Sequence, residues 1–246
     1  MKRSYLEVIY PQEEYAEHLY PQKLCDYLSE NYFYELEDGG VERLDGHEEY
    51  DKVFGGKLLD IGSGKGNHLI GFYRCGYEAF GLDKRKECVE VLNDFDIREC
   101  DIETDVFPYE DNFFSWIFSK SVLEHVSNTD NFMNESLRVL KPGGKVVFMC
   151  PAWESQYKLY WDDYTHVKPY TRKSLQNAMR MAGFSDVEVS YFLQLPFIWK
   201  RPYLEVITKV IALLPDSLKW KNKEQSDARK LIRFSKEKML FAVGGK

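Results

Sequence analysis

Short apolar strands alternate with amphipathic helices along the middle of the chain. Strand-like runs are predicted at 57–61, 78–82, 97–100, 115–119 and 145–150. Helical spacing of apolar residues is found near 12–34, 66–75, 84–93, 130–139 and 171–182. An alternation of this kind builds βαβ units, so the pattern predicts a parallel sheet with helices packed on it.

The pattern changes near the end of the chain. Residues 187–193 and 239–243 read as two more strands. Between them, 203–214 carries apolar residues at helical spacing, with Glu205, Thr208 and Lys209 on the opposite side. We therefore predict a single domain throughout. Its parts are a helical cap (1–55), a core (56–195), a helical insertion or lid (196–238) and a final strand (239–246).

Composition and charge narrow the class of protein. The chain has 246 residues and a net charge of -7, with 33 Lys+Arg against 40 Asp+Glu. This balance argues against a nucleic-acid partner, because binding phosphates needs clustered cations. The five cysteines form no C-x-x-C pair, which favours a reducing compartment. No signal-peptide core or membrane-spanning run is visible, so we expect a cytoplasmic protein.

Three glycines at alternate positions follow the first predicted strand. Gly62, Gly64 and Gly66 come directly after Asp60-Ile61, with Ser63 and Lys65 between them, and a helix follows. Without Cβ atoms the backbone turns tightly and approaches a ligand closely. The spacing differs from the G-x-G-x-x-G of dinucleotide binders and lacks the ending of a P-loop. The loop thus predicts a ligand site of another kind.

An acidic residue ends the second predicted strand. Asp83 lies 21 positions after Gly62. A carboxylate at this place accepts hydrogen bonds from both hydroxyls of a ribose. The alternative is a cap for the helix that begins at Lys84.

At this point the chain resembles the class I S-adenosylmethionine-dependent methyltransferases, in their small-molecule branch. The resemblance is carried by an ordered set of segments: Asp60–Gly66, Asp83, Cys100–Glu103, Phe107–Phe114, Val122–Val126 and Leu137–Gly144. It implies a Rossmann-like sheet of seven mostly parallel strands with helices on both faces and the last strand antiparallel. It also implies S-adenosyl-L-methionine as the cofactor. The cofactor-binding residues that it implies are Asp60, Gly62, Ser63, Gly64, Gly66, Asp83, Lys84, Asp101, Ile102 and Ser119.

Two histidines are candidates for the catalytic base. His166 lies between the fifth strand and the next helix, beside Asp162 and Asp163, and His125 follows the fourth strand. A hydroxyl acceptor benefits from a base whose pKa is near the working pH. The alternatives are that His166 only bonds a neighbouring loop and that His125 only shapes the pocket. Carboxylates and histidines form no clear metal triad along the sequence, so no metal is predicted.

The segment 199–223 has three interpretations. Its apolar face either packs over the cleft or in a dimer interface, or forms a lid over the acceptor pocket, or touches anionic lipid through its Trp and Lys/Arg flanks.

The function predicted from the sequence is methyl transfer to a small acceptor. We expect an oxygen of a sugar, a glycan precursor or a secondary metabolite. The alternatives are an N- or C-methyltransferase and a non-catalytic protein that binds S-adenosylmethionine. A nicotinamide-dependent oxidoreductase is disfavoured by the glycine spacing.

Overall fold

A single seven-stranded sheet forms the centre of the protein. The computed structural model describes residues 15–33, 55–86, 88, 94–218 and 227–246. The strand order is β3-β2-β1-β4-β5-β7-β6. The strands are β1 Lys57–Ile61, β2 Glu78–Asp83, β3 Asp96–Glu99, β4 Phe114–Lys120, β5 Leu140–Pro151, β6 Ser185–Phe192 and β7 Met239–Gly245. The sheet is parallel from β3 to β5, and β7 runs antiparallel to both β5 and β6. This confirms the Rossmann-like fold predicted from the sequence.

Helices pack on both faces of the sheet. Those described are α1 Tyr15–Asn31, α2 Asn67–Cys75, α3 Thr129–Val139, α4 Trp153–Gln156, α5 Arg172–Ala182, α6 Pro196–Trp199, α7 Glu205–Ile211 and α8 Asp227–Lys236. Most of the helix predicted at 84–93 lies outside the described residues, as do residues 34–54 of the predicted helical cap. The other predicted elements in the core are found within a few residues of their expected bounds.

Consecutive strand residues contribute to opposite faces of the sheet. In β5, Val146 and Phe148 enter one hydrophobic cluster, whereas Val147 and Met149 enter the other. The side chains of a strand point alternately to the two faces, and both faces here are covered. This double burial explains why β5 is apolar without alternation.

The N-terminal helix α1 belongs to one of these covered faces. It packs on α2, where a Cβ added at Gly71 would lie 2.6 Å from the Cys25 Sγ. Just beyond the helix, Phe33 contacts the rings of Phe72 and Trp116. The helix therefore covers the element that follows the glycine loop, while its side chains before Tyr20 are not described.

The prediction for 203–214 is wrong in its length and in the face that it buries. The α-helix is only α7, preceded by a 3-10 turn at Pro202–Leu204. Thr208, expected on the polar side, is 2% exposed, whereas Val206 and Val210 are each 63% exposed. Periodicity shows which residues share a helix face, but not which face finds a covering surface. In the described part of the chain, the apolar face of α7 does not pack over the cleft.

None of the described helices combines the length and the apolar character that a membrane span requires.

Candidate functional site

The glycine loop joins β1 to α2 at the carboxyl edge of the sheet. Gly62, Gly64 and Gly66 all have positive φ, at 76°, 54° and 77°. The amides of Gly62 and Ser63 donate to the Leu82 carbonyl at 2.7 and 3.0 Å, which ties the loop to the end of β2. Only glycine adopts such angles without strain, so the sequence pattern and the turn agree.

Gly62 and Gly64 differ in what surrounds them. A Cβ on Gly62 would lie closer than 3.0 Å to the Val122 side chain, which follows β4. A Cβ on Gly64 would meet no atom nearer than the Arg85 guanidinium at 3.7 Å. Gly62 thus allows close packing with the segment after β4, whereas Gly64 borders open space.

Asp83 holds the loop from the end of β2. Its carboxylate accepts hydrogen bonds from the Gly64 amide at 2.8 Å and from the Arg85 amide at 2.9 Å. The side chain is 6% exposed. The acid predicted to bind ribose therefore lies against the loop, and it also caps the turn that contains Lys84 and Arg85.

Two buried polar atoms in this region have no hydrogen-bond partner among the described residues. They are the Ser63 hydroxyl and Oδ2 of Asp60. Burial raises the pKa of the Asp60 carboxyl to about 7, with a further contribution from Asp83. Buried polar groups normally have partners. A polar ligand bound at the glycine loop would supply partners for these atoms.

The other predicted cofactor-binding residues lie along the same edge. Lys84 forms an ion pair with Asp101 at 2.7 Å, and this hydrogen bond lowers the pKa of the Asp101 carboxyl. Ile102 is partly buried against the core cluster that lies under β1 and β4. Ser119 is different, because its hydroxyl donates to the Ile61 carbonyl at 2.9 Å inside the sheet. Its contact is thus with the end of β1 rather than with open space.

Two charged residues, Lys120 at the end of β4 and Glu124 just after it, were not singled out as site residues from the sequence. Burial raises the pKa of the Glu124 carboxyl to about 7 and lowers the pKa of the Lys120 ammonium. Lys120 interacts electrostatically with both Glu124 and Asp60. It therefore connects the glycine loop with the segment around His125. The position of Lys120 at the end of β4 is the feature of the sequence from which its place in the site could have been predicted.

The fold brings His125 and His166 together. Their ring centroids are 4.8 Å apart, although His166 lies 41 positions after His125 in the chain. The loop that carries His166 is attached to the other segment by the amides of Val167 and Lys168, which both donate to the Glu124 carbonyl. Both histidines follow strands that are neighbours in the sheet, β4 and β5. The histidines at 18 and 47 fall where side chains are not described.

The hydrogen bonds of the two rings determine where their protons lie. His166 Nδ1 is 2.6 Å from the Tyr160 carbonyl oxygen, and His125 Nδ1 is 3.1 Å from the Thr165 carbonyl oxygen. A carbonyl only accepts, so each Nδ1 carries the hydrogen and donates it. In the neutral rings, both Nε2 atoms are left with free lone pairs. Asp163 is close to one of them, with Oδ2 at 3.8 Å from His166 Nε2.

Comparisons with known proteins give this arrangement a family. A family model described as "Methyltransferase domain" matches residues 15–189. The chain is 26% identical over 147 residues to a malonyl-[acyl-carrier protein] O-methyltransferase of Methylococcus capsulatus, covering 54% of this chain and 53% of that protein. It is 28% identical over 164 residues to the ubiquinone/menaquinone biosynthesis C-methyltransferase UbiE of Vibrio cholerae, covering 58% and 62%.

A solved structure agrees in fold. It is phosphoethanolamine N-methyltransferase 2 of Haemonchus contortus in complex with phosphomonomethylethanolamine and S-adenosylhomocysteine. The TM-score is 0.56 at 20% identity, with 79% of this chain and 49% of that one covered. The chain spans less than two thirds of the length of these relatives.

The fold, the glycine loop and the family match together define the class of protein. The chain belongs to the methyltransferase domain family of class I fold, whose members use S-adenosylmethionine. The residues present fit that cofactor: an open glycine, loop amides at a helix start, and unpaired polar atoms on Ser63 and Asp60.

Proposed function

We propose that the protein transfers a methyl group from S-adenosylmethionine to an oxygen of a small acceptor, such as a sugar, a glycan precursor or a secondary metabolite. The observation that carries this proposal is the pair of imidazoles whose Nδ1 atoms both face carbonyls and whose Nε2 lone pairs are free. A hydroxyl must lose its proton as it attacks carbon, and a neutral imidazole is suited to accept it.

The cofactor half of the site is formed by the glycine loop and the ends of β2 and β3. The amides at Gly64 and Gly66, at the start of α2, are suited to the carboxylate of the methionine portion. Asp83 accepts hydrogen bonds from ribose hydroxyls in place of part of its contact with Gly64. Asp101 and Ile102 border the adenine. The cofactor supplies an already activated methyl group.

The acceptor half of the site is formed by the loops after β4 and β5. His166 binds the acceptor hydroxyl through Nε2 and takes its proton, and His125 beside it is the second candidate for this role. The carbon–oxygen bond forms as the carbon–sulfur bond breaks, so the products are the methyl ether and S-adenosylhomocysteine. Fixed rings position the acceptor for in-line attack and exclude water, which are the main contributions available to a methyltransferase.

Acceptors with nitrogen or carbon nucleophiles are the second candidates. The relatives carry names for all three chemistries, O-, C- and N-methyl transfer. An amine that is neutral at working pH needs no base for its attack. The paired imidazoles, which are placed to act as bases, favour an oxygen acceptor over an amine for this reason. A protein that binds the cofactor without catalysis would have no use for this pair.

The test is methyl transfer measured as S-adenosylhomocysteine release against a panel of hydroxyl, amine and carbon acceptors. With the acceptor that works, His166→Ala should lower kcat at least 100-fold, which is the contribution expected of a base. Its affinity for S-adenosylhomocysteine should change less than twofold. Glu154→Gln, an exposed change in the same loop region, is the matched control. Unchanged turnover in His166→Ala would refute the role of the imidazole.

We also propose a cytoplasmic location. All five cysteines are buried and none of them forms a disulfide, as expected of a protein that stays in a reducing compartment. Fractionation of the source cells tests this, and recovery of the protein with cysteines linked as disulfides would contradict it.

The exposed apolar face within 199–223 is proposed as a contact surface, either with a second copy or with a membrane. Tyr203, Val206, Val210 and Leu213 are 63–84% exposed. Sedimentation velocity and liposome co-sedimentation separate the two cases. A monomer that does not bind anionic vesicles would exclude both.

A further inference from the structure

Glu124, His125 and His166 form a cluster of potential metal ligands. One ligand atom from each residue lies within 4.8 Å of the others. Two imidazoles and one carboxylate are a ligand set that divalent transition metals such as Zn²⁺ bind, with further positions left for water or substrate. The sequence did not suggest this cluster, because His166 lies 41 positions after His125 and 42 positions after Glu124.

The two imidazoles are already in the form that binds a metal. Metal-binding histidines usually donate their second ring N–H to a carbonyl or a carboxylate, which fixes the tautomer. His166 does so toward Tyr160 and His125 toward Thr165. The Thr165 hydroxyl lies 2.9 Å from His125 Nδ1 and itself donates to Asp163 at 2.6 Å. Both Nε2 lone pairs are therefore available, and the groups behind the rings are fixed.

The carboxylate provides a second and independent observation. Glu124 is 2% exposed, and its Oε2 has no hydrogen-bond partner within the described ranges. A buried carboxylate oxygen without a partner is costly. A cation bound to it removes that cost, and Asp163, with Oδ2 at 3.8 Å from His166 Nε2, adds negative charge at the exposed side. Lys120 also faces Glu124 but forms no hydrogen bond that satisfies Oε2.

We propose that Glu124, His125 and His166 bind one divalent transition-metal ion, of the class of Zn²⁺. The separations require a small adjustment. Ligand atoms around a tetrahedral Zn²⁺ stand about 3.4 Å apart, so the three groups close by roughly 1 Å when the ion binds. Side-chain rotation of the partly exposed histidines provides this movement without a change in the backbone.

This inference deepens the proposed function, and the role of the ion rests on it. In the metal-free protein the Nε2 atoms would serve the acceptor as proposed above. In the metal-bound protein they would hold the ion, which would then take over the contact with the acceptor oxygen. A divalent ion held by these residues would supply Lewis-acid chemistry, because it would lower the pKa of an acceptor hydroxyl and let the proton pass to water. The acceptor class that fits is one offering an oxygen that can bind a metal, such as a hydroxyl next to a second oxygen.

Metal binding is tested without an acceptor. The full chain, freed of metal by a chelator, is titrated with Co²⁺ and followed by its visible absorption, and with Zn²⁺ by calorimetry. We expect one ion per chain. Glu124→Gln and His166→Asn should each weaken binding about 100-fold or more, since changes behind the ligands alone cost 10- to 100-fold. Glu154→Gln removes an exposed carboxylate nearby and should bind like the wild type.

The outcomes separate the metal site from the function. The proposed metal site would be overturned if the wild type, Glu124→Gln and His166→Asn bound the ion equally. It would also be overturned if folded wild-type protein bound no ion. Full methyl transfer to a hydroxyl by metal-free enzyme would also overturn it, while the function in Proposed function would stand. Binding of the ion that both variants lose supports the site even if no hydroxyl is methylated. In that case the proposed function alone would fail. Circular dichroism identifies any variant that fails to fold, and the second variant then decides.

Discussion

The close contact of Gly62 with Val122 predicts how a single methyl group would destabilise the protein. In Gly62→Ala the new Cβ would lie closer than 3.0 Å to Val122, on a backbone with φ of 76°. The positive φ costs about 1–2 kcal/mol for a residue with a Cβ. Overpacking adds about 1–3 kcal/mol. The expected loss in the free energy of unfolding is therefore about 2–5 kcal/mol.

Gly143→Ala separates these two contributions. Gly143 has a similar φ of 78°, but a Cβ there would meet nothing within 4 Å. We expect a loss of about 1–2 kcal/mol from the backbone alone. Urea unfolding followed by circular dichroism measures both variants. The difference between them, about 1–3 kcal/mol, is the cost of the steric contact.

A double variant tests the assignment to Val122. When Val122→Ala removes the two methyl groups that the new Cβ would meet, Gly62→Ala should cost at least about 1 kcal/mol less than in the wild type. Equal losses in Gly62→Ala and Gly143→Ala, or no coupling with Val122→Ala, would refute the reasoning.

Three further predictions concern charge, pH and the exposed helix. Asp83→Asn should weaken binding of S-adenosylhomocysteine at least tenfold in calorimetry, about 1.4 kcal/mol, because the carboxylate holds the Gly64 amide and is the proposed acceptor for the ribose hydroxyls; unchanged affinity would exclude that role. Asp60→Asn should change how stability depends on pH. Burial raises the pKa of Asp60 to about 7, so its contribution to stability is present near pH 4 and is lost as pH rises to 7. Relative to the wild type, the free energy of unfolding of the variant should rise by up to about 1.4 kcal/mol per pH unit between pH 4 and pH 7. Urea unfolding measures this, and unfolding free energies that depend on pH in the same way in both proteins would contradict the raised pKa. Val206→Ser, at a side chain that is 63% exposed, should alter the free energy of unfolding by less than about 0.5 kcal/mol, and a loss above 2 kcal/mol would mean that this face is covered.

Most of the fold was predictable because local signals and sheet topology agree. The apolar runs of β1 and β4 are buried on both faces, and the positive φ at Gly62, Gly64 and Gly66 matches residues without a Cβ. The number of strands and the antiparallel direction of the last one came from the resemblance to a family rather than from periodicity.

The parts that were missed depend on contacts distant in the chain. The exposed face of α7 could not be predicted, because periodicity carries no information about what covers a helix. Glu124 lies within the segment Val122–Val126, but it becomes a candidate metal ligand only when the loop after β5 places His166 beside it. Spacing along a sequence predicts which residues are neighbours on one helix or strand, whereas this cluster forms from the segments that follow two different strands.

The central claim is that the glycine loop and Asp83 bind the adenosyl cofactor. Calorimetric titration of the full chain with S-adenosylhomocysteine, with NAD as the comparison, tests it most directly. The account predicts one molecule of S-adenosylhomocysteine per chain and no heat of binding with NAD. Binding of NAD alone, or of neither compound by folded protein, would contradict it.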